Sequence, residues 1–418
     1  CFRSSRRAYD PIHLRPVPAV ASAQKADDVP ATEDVDDVDF DHLASSVPAS
    51  ESGATLSFEN IRVVLAPKKK KGQAVDIVDG TVTGAARPGR LLALMGPSGA
   101  GKTTALLAVA GRIKDDPRLA VSGERYLDGA PITGDSQIPA AFVAQEDNFF
   151  PFMTVRETLD FRVQLRLGSK LGRAARNDVV ERLMDSFNLK KSAETIVGNA
   201  KVRGISGGER KRLSIACEMI SSPPMIVLDE PTSGLDSYQA TQVVATLRQM
   251  ANDGKTVIAV VHQPSQVIFS MFDDLLLLAE GSLMYYGEVQ NVRSHFDKLG
   301  YPCPAEVGTA EHIIDLVSNT QDGEASTERI GKIKAKAQAG AQQSVAPYHG
   351  KAGQVARRFS RRQRRPAAGI FRQFHLLLKR SFGDIFRAKT ALTIKVVQQV
   401  MTALIYGGIY NLGTNQVR

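Results

Sequence analysis

The stretch Gly96–Thr104 reads GPSGAGKTT, between an apolar run, Leu91–Met95, and a helical run, Ala105–Ala110. Gly96, Gly101, Lys102 and Thr103 match the spacing GxxxxGK[ST], with Pro97, Ser98, Gly99, Ala100 and Thr104 filling the loop. Glycines at these points let the backbone curl so that successive N–H groups converge on an anion. The helix that follows adds the positive end of its dipole. Lys102 is placed to reach the β- and γ-phosphates of a nucleotide, and the Thr103 hydroxyl to sit on Mg²⁺. The pattern predicts a nucleotide site.

Other residues with chemical potential follow in order. Gln145 closes an apolar strand, where its amide would reach Mg²⁺ and an attacking water. Ser206-Gly207-Gly208-Glu209 opens a helix rich in Arg and Lys, a second helix-terminus anion site with no phosphate of its own chain to bind. The strand MIVLDEP, Met225–Pro231, ends in two carboxylates: Asp229 would hold Mg²⁺ through water, and Glu230 would polarise a water against the γ-phosphate. SGLD, Ser233–Asp236, comes next, and His262 closes the strand Thr256–Val261, within reach of a γ-phosphate.

The elements needed to hold these residues are legible in the same chain. Leu56–Leu65 alternates as a strand, and Val75–Val82 forms another. Leu91–Met95, Ala141–Ala144, Met225–Leu228, Thr256–Val261 and Leu275–Leu278 are short apolar strands of the kind buried on both faces of a parallel sheet. Gly123–Gly134 carries hairpin signals around Asp128-Gly129, and Gly281–Gly287 a hairpin return. Helical spacing covers Val155–Leu167, with Thr154 as N-cap, then Asn177–Phe187 and Ile205–Ile220. Strands alternating with helices predict an α/β core with a parallel sheet.

The 418 residues give room for two to three domains, with a net charge of +9. Residues 1–52 are polar and then acidic, too poor in apolar surface to fold, so they are expected to be disordered; the early arginines loosely resemble an organelle transit peptide. Lys68–Lys71 reads as a hairpin tip. Three scattered cysteines, Cys1, Cys217 and Cys303, supply neither a disulfide framework nor a metal spacing, which suits an intracellular body. From Asp322 to about Ala368 apolar periodicity is lost, which reads as a flexible linker. Arg357–Arg365 holds six arginines in nine residues, a run that suits nucleic acid, an anionic membrane face or plain solvent. Phe371–Phe386 is amphipathic, with Phe374, Leu377, Leu378, Ser381 and Phe382 on one stripe. Ala391–Leu412 is the longest apolar segment; as a helix it reaches about 33 Å, enough for a bilayer core, although Lys395, Gln398 and Gln399 leave a buried amphipathic helix as the alternative.

Taken together, GPSGAGKT, Gln145, ISGGE, MIVLDEP, SGLD and His262 resemble the motifs of an ATP-binding cassette (ABC) ATPase. AQEDNFFPFMTVRETLDF, RGISGGERKR and HQPS, with the cassette ahead of the membrane segment, resemble the half-transporters of the ABCG, or white–brown complex, subfamily. The resemblance covers roughly residues 54–412. It implies a P-loop NTPase (RecA-like) nucleotide-binding domain with an antiparallel β subdomain and a helical subdomain. The start of an α-helical transmembrane domain follows. The expected boundaries are 1–52 disordered, 53–318 cassette, 319–368 basic linker, 369–389 connecting helix, and 390–418 a first transmembrane helix after which the chain stops short of the family's others.

The resemblance implies ATP and Mg²⁺ as cofactors and Glu230, His262 and Gln145 as catalytic residues. Gly96–Thr104, Ser206, Gly207, Gly208, Glu209 and Asp236 would bind nucleotide, and Thr103, Gln145 and Asp229 the metal. It further implies a second half-transporter as partner, ATP sandwiched between the two, membrane lipids and a hydrophobic substrate such as a lipid or sterol, and no nucleic acid. The cassette would face the cytoplasm. The alternative is a soluble ABC ATPase acting on nucleic acid or the ribosome. Two departures stand out: Leu65 lies where many relatives stack adenine on an aromatic ring, and Pro302–Asp315 matches the family only loosely.

Overall fold

Short, continuously apolar strands buried on both faces dictate most of this architecture. The computed structural model describes residues 53–67, 73–113, 118–132, 138–168, 172–318, 324–345, 368–387 and 389–415. The segment 1–52 read as disordered, the lysine run Lys68–Lys71 and the arginine run Arg357–Arg365 lie outside these residues.

Among the described residues, ten strands form two sheets. The first is antiparallel, in the order β2 (Val75–Ala86), β1 (Leu56–Leu65), β4 (Leu119–Leu127) and β5 (Ala130–Pro131). The β4–β5 turn is Asp128-Gly129 at φ 48° and 77°, the left-handed pair that a two-residue hairpin of the favoured twist requires. The second sheet runs β10 (Ser282–Glu288), β9 (Asp274–Ala279), β3 (Leu91–Met95), β8 (Thr256–Val260), β7 (Met225–Leu228) and β6 (Ala140–Val143). All its pairings are parallel except the β9–β10 hairpin.

β3 shows why a continuous apolar run is needed. Leu91, Ala93 and Met95 face one core, and Leu92 and Leu94 face the other. The second core holds α1 (Lys102–Val109) between the two sheets through Ala105, Leu106, Ala108 and Val109. The first core is covered by α2 (Val155–Leu167), α3 (Arg173–Ser186), α4 (Gly207–Met219) and α5 (Ser237–Asn252). Short helices α6 (Gln266–Phe269), α7 (Val292–Lys298) and α8 (Thr309–Val317) follow. α2 begins with the expected Thr154 cap, as a full capping box with Glu157.

One expectation fails. Part of the stretch read as a flexible linker is helix α9 (Glu324–Val345), which packs on β10 and β2. Ile330, Ile333, Ala337 and Ala341 are buried, and Lys334 donates to Asp79 Oδ2 at 2.6 Å. Small alanines make this stripe too weakly apolar to stand out by periodicity.

The stretch 390–418 is where a first transmembrane helix is expected. A 27-residue helix, α11 (Lys389–Asn415), is present there. Among the described residues, however, no helix is long and apolar enough to cross a membrane. Length is not what falls short, since 27 residues reach about 40 Å. Lys395, Gln398 and Gln399 dilute the apolar run. The amphipathic helix before it is present as α10 (Ile370–Arg387), with Phe374, Leu377, Leu378 and Phe382 exposed and Leu376 buried.

Candidate nucleotide site

Parallel register brings the candidate residues to one edge. Leu94 pairs with Val260, Ala259 with Leu228 and Leu228 with Val143, so the residues that leave β3, β8, β7 and β6 emerge side by side. Those are the phosphate loop, His262, the Asp229-Glu230 pair and Gln145. The carboxyl ends of parallel strands are where ligands bind in such sheets.

The loop needs glycine at two points for distinct reasons. A Cβ on Gly96 would lie 2.0 Å from the Leu278 carbonyl oxygen. Gly101, the residue before α1, has φ 83°, and its Cβ would lie 2.8 Å from the Ile77 carbonyl. Lys102 is buried and donates to the Gly96 and Pro97 carbonyls at 3.1 and 2.8 Å. Burial pulls its pKa below the usual lysine value, while the Glu230 and Asp229 carboxylates pull the other way.

Two side-chain pairs close the site. The Thr103 hydroxyl donates to Asp229 Oδ1 at 3.0 Å, and Gln145 Nε2 donates to Glu230 Oε2 at 2.8 Å. Burial pushes the Asp229 carboxyl up, against the Thr103 hydroxyl that favours its charged form. The Asp229 N–H donates to the Val143 carbonyl at 2.9 Å, tying the two strand ends together. Glu230 takes a left-handed φ of 46° just past β7, and Gln263, next to His262, one of 41°. Non-glycine residues hold that conformation at a cost, and such residues gather at functional sites. His262 is exposed, immediately after Val261.

Ser206, Gly207, Gly208, Glu209 and Asp236 form a second group. Ser206 caps α4 in a reciprocal box: its N–H donates to Glu209 Oε2 at 2.9 Å, and the Glu209 N–H to Ser206 Oγ at 3.2 Å. Burial pushes the Glu209 carboxyl up, but the Ser206 and Ser192 bonds outweigh it and hold the group below its usual range. Asp236 caps α5, accepting from the Gln239 N–H at 2.7 Å, and Gln239 Oε1 in turn accepts from the Gly208 N–H at 2.9 Å. Among the described residues, no hydrogen bond joins this group to the phosphate loop of the same chain.

The sequence reading missed two connections. Lys211, on α4, has its ammonium buried against Asp147 Oδ2 at 3.0 Å and the Gln145 carbonyl at 3.0 Å. Arg387, the last residue of α10, grips the Glu157 carboxylate, and Arg380 lies 3.8 Å from the Phe150 ring centre. An acid two residues past Gln145, and a lysine four past Gly207 on the inner face of the helix, were the available signals for the first.

The donor set can be tested against Mg²⁺. Thr103 and Asp229 offer a hydroxyl and a carboxylate 3.0 Å apart, both hard oxygens. Among the described residues, no cluster of three or more His, Cys, Asp or Glu could cage a metal. The Thr103–Asp229 pair suits an ion bound through one or two protein oxygens together with substrate phosphates.

A phosphate loop on β3, an acid pair on β7, a glutamine on β6 and a capped SGGE helix define the class of the ATP-binding cassettes. The family model "ABC transporter" matches residues 80–233, and "ABC-2 type transporter" matches 262–336. "ABC transporter G family member 7" of Arabidopsis thaliana is 39% identical over 374 residues, 87% of this chain and 51% of that protein. "Protein white" of Drosophila melanogaster is 35% identical over 343 residues, 79% of this chain and 49% of that protein. A solved structure, a dimeric post-hydrolysis state of an ATP-binding cassette bound to ADP and Pi, aligns at TM-score 0.46 and 22% identity, covering 56% of this chain and 98% of its own. The chain belongs to the G family of ABC transporters. It spans about half the length of these relatives.

Proposed function

We propose that the chain is the ATP-hydrolysing part of a G-family half-transporter, which works as a pair and drives a hydrophobic substrate such as a lipid or sterol. The observation that carries this reading is the pairing of Thr103 with Asp229 and of Gln145 with Glu230 at one sheet edge. Phosphates bind on the Gly96–Thr104 loop and Lys102. Thr103 and Asp229 hold Mg²⁺, which neutralises phosphate charge when bound. Glu230 takes a proton from the attacking water, Gln145 orients both, and His262 steadies the γ-phosphate.

The Ser206–Glu209 turn serves the nucleotide of the partner chain. Its helix N-terminus is capped by Ser206 and aligned by Gln239, yet among the described residues it bonds no phosphate loop of its own chain. Two chains then form two composite sites, and closure on ATP followed by reopening moves the membrane part. The cassette lies on the cytoplasmic side, where Lys- and Arg-rich sequence next to a membrane is retained. The α10 helix lies along the membrane face, its exposed Phe371, Phe374, Phe382 and Phe386 toward the acyl boundary.

The test mixes full-length Lys102→Ala chains with Gly207→Asp chains. Both lesions then fall in one composite site and leave the other whole, so mixed dimers recover turnover that neither parent has. Mixed dimers without turnover, formed from parents that still dimerise, would contradict the trans arrangement.

A further inference from the structure

We infer that Lys211 is the positioning residue for Gln145: its buried ammonium fastens the backbone at Gln145 to helix α4, so that movement of the Ser206–Glu209 turn is delivered to the Gln145–Glu230 contact. The inference rests on the ATP-hydrolysing reading above and adds to it how one end of the site informs the other.

An ammonium has three donors and no acceptor. Those of Lys211 meet Asp147 Oδ2 at 3.0 Å, the Gln145 carbonyl at 3.0 Å and the Ala144 carbonyl at 3.4 Å. The side chains of Lys211 and Asp147 are 5% and 7% exposed, so the pair is shielded from water. A buried charge of this kind is held only where its partners are fixed. Two of the three partners are consecutive backbone carbonyls, which set the direction in which the chain leaves β6. From that backbone the Gln145 side chain reaches Glu230 at 2.8 Å.

Lys211 also sits one turn from Ser206 and Gly207 on the same rigid helix. The helix N-terminus that would close on the partner's nucleotide and the ammonium that holds Gln145 therefore move as one body. Asp147 adds a further sign of a poised connection. Its Oδ1 is buried and has no hydrogen-bond partner among the described residues, while its Oδ2 meets the lysine.

The test uses the full-length protein in lipid vesicles and compares Lys211→Met, Lys211→Arg, Asp147→Asn, Gln145→Ala and the double variant Lys211→Met/Gln145→Ala. Loss of alignment at a reacting group costs turnover by about 10- to 100-fold. Lys211→Met is expected to lower kcat in that range with KM for ATP and binding of a fluorescent ATP analogue little changed. Lys211→Arg, which keeps the charge and two of the bonds, recovers part of the loss. The decisive reading is non-additivity: the double variant turns over no more slowly than Gln145→Ala alone. A double variant slower by the product of the two single effects would overturn the inference, as would a Lys211→Met loss that falls on KM.

If Lys211→Met is recovered unfolded, Asp147→Asn alone and combined with Gln145→Ala carries the same comparison, because it removes the carboxylate that holds the ammonium against the two carbonyls. A wild-type protein without ATP turnover would instead remove the functional reading on which the comparison stands. Wild-type turnover with an unaltered Lys211→Met would remove this inference and leave that reading intact.

Discussion

Glu157 serves two helices at once. One carboxylate oxygen accepts the Thr154 N–H at 3.0 Å and closes the capping box of α2, while both oxygens meet the Arg387 guanidinium, at 2.5 and 2.6 Å. The cassette is thereby joined to the last residue of α10, and Leu376, Met153 and Phe161 pack in a small apolar cluster beside the joint.

The Arg387 bond, more than any other cause, holds the Glu157 carboxyl below its ordinary value of 4.5, with burial opposing it. A carboxyl with a depressed folded pKa stabilises the fold fully above its ordinary value and loses that contribution as pH falls through the folded one. The attachment of α10 is therefore intact at pH 7 and loosens as pH falls below the ordinary carboxyl value and through the depressed folded one. Arg387→Ala should cost about 1 kcal/mol or less of global stability, since both side chains are partly exposed. Amide exchange within Ile370–Arg387 should nonetheless rise clearly. Unchanged exchange in that helix would mean that the pair does not hold it.

Glu230→Gln should retain ATP binding and lose turnover by about 100-fold or more, the range for a group that moves a proton in the reaction. Lys102→Ala should instead weaken nucleotide binding itself. Asp229→Asn should blunt the dependence of binding on Mg²⁺ concentration. Equilibrium binding of a fluorescent ATP analogue, with and without Mg²⁺, separates the three. A Glu230→Gln protein turning over near the wild-type rate would displace Glu230 from its role.

Asp274 is buried between two guanidiniums, Arg87 at 2.8 Å and Arg90 at 2.6 Å, where β9 meets the start of β3. Asp274→Asn leaves both cations facing a neutral amide. Breaking a buried pair from one side costs about 3 kcal/mol, and the partial exposure of the arginines puts this case at or below that figure. The expected result is a lower Tm with ATP binding retained once folded. A Tm equal to that of wild type would show that the arginines find water or other carboxylates at no cost.

Ile333 is fully buried where α9 crosses the sheets. Ile333→Ala should cost about 2–5 kcal/mol of attachment, felt by the helix before the cassette. Limited proteolysis should then cut within Glu324–Val345 while the Tm of the cassette stays put. Asp79→Ala should act in the same direction, because Asp79 receives Lys334 and the Ser282 hydroxyl. Cutting at an unchanged rate in both variants would mean that α9 is not held by this face.

Residues close together in the chain made the nucleotide site legible before any fold was known. Gly96, Gly101, Lys102 and Thr103 carry their proposed role in local backbone geometry, and Asp229 and Glu230 stand at the end of a four-residue apolar strand that is buried in the sheet. The same holds for Thr154, whose capping box is written within four residues. What needed the tertiary structure is whatever depends on how distant elements approach. Arg387 and Glu157 are 230 positions apart, and neither type is unusual where it stands. Lys211 is one basic residue among three in succession until the helix turns it inward against Asp147. The α9 helix has an alanine stripe that carries little apolar signal and becomes a packing face only once β10 and β2 are brought against it. Short-range motifs are set by φ, ψ and hydrogen bonds within a few residues, whereas buried pairs and weak stripes acquire their meaning from the surface that is brought to them.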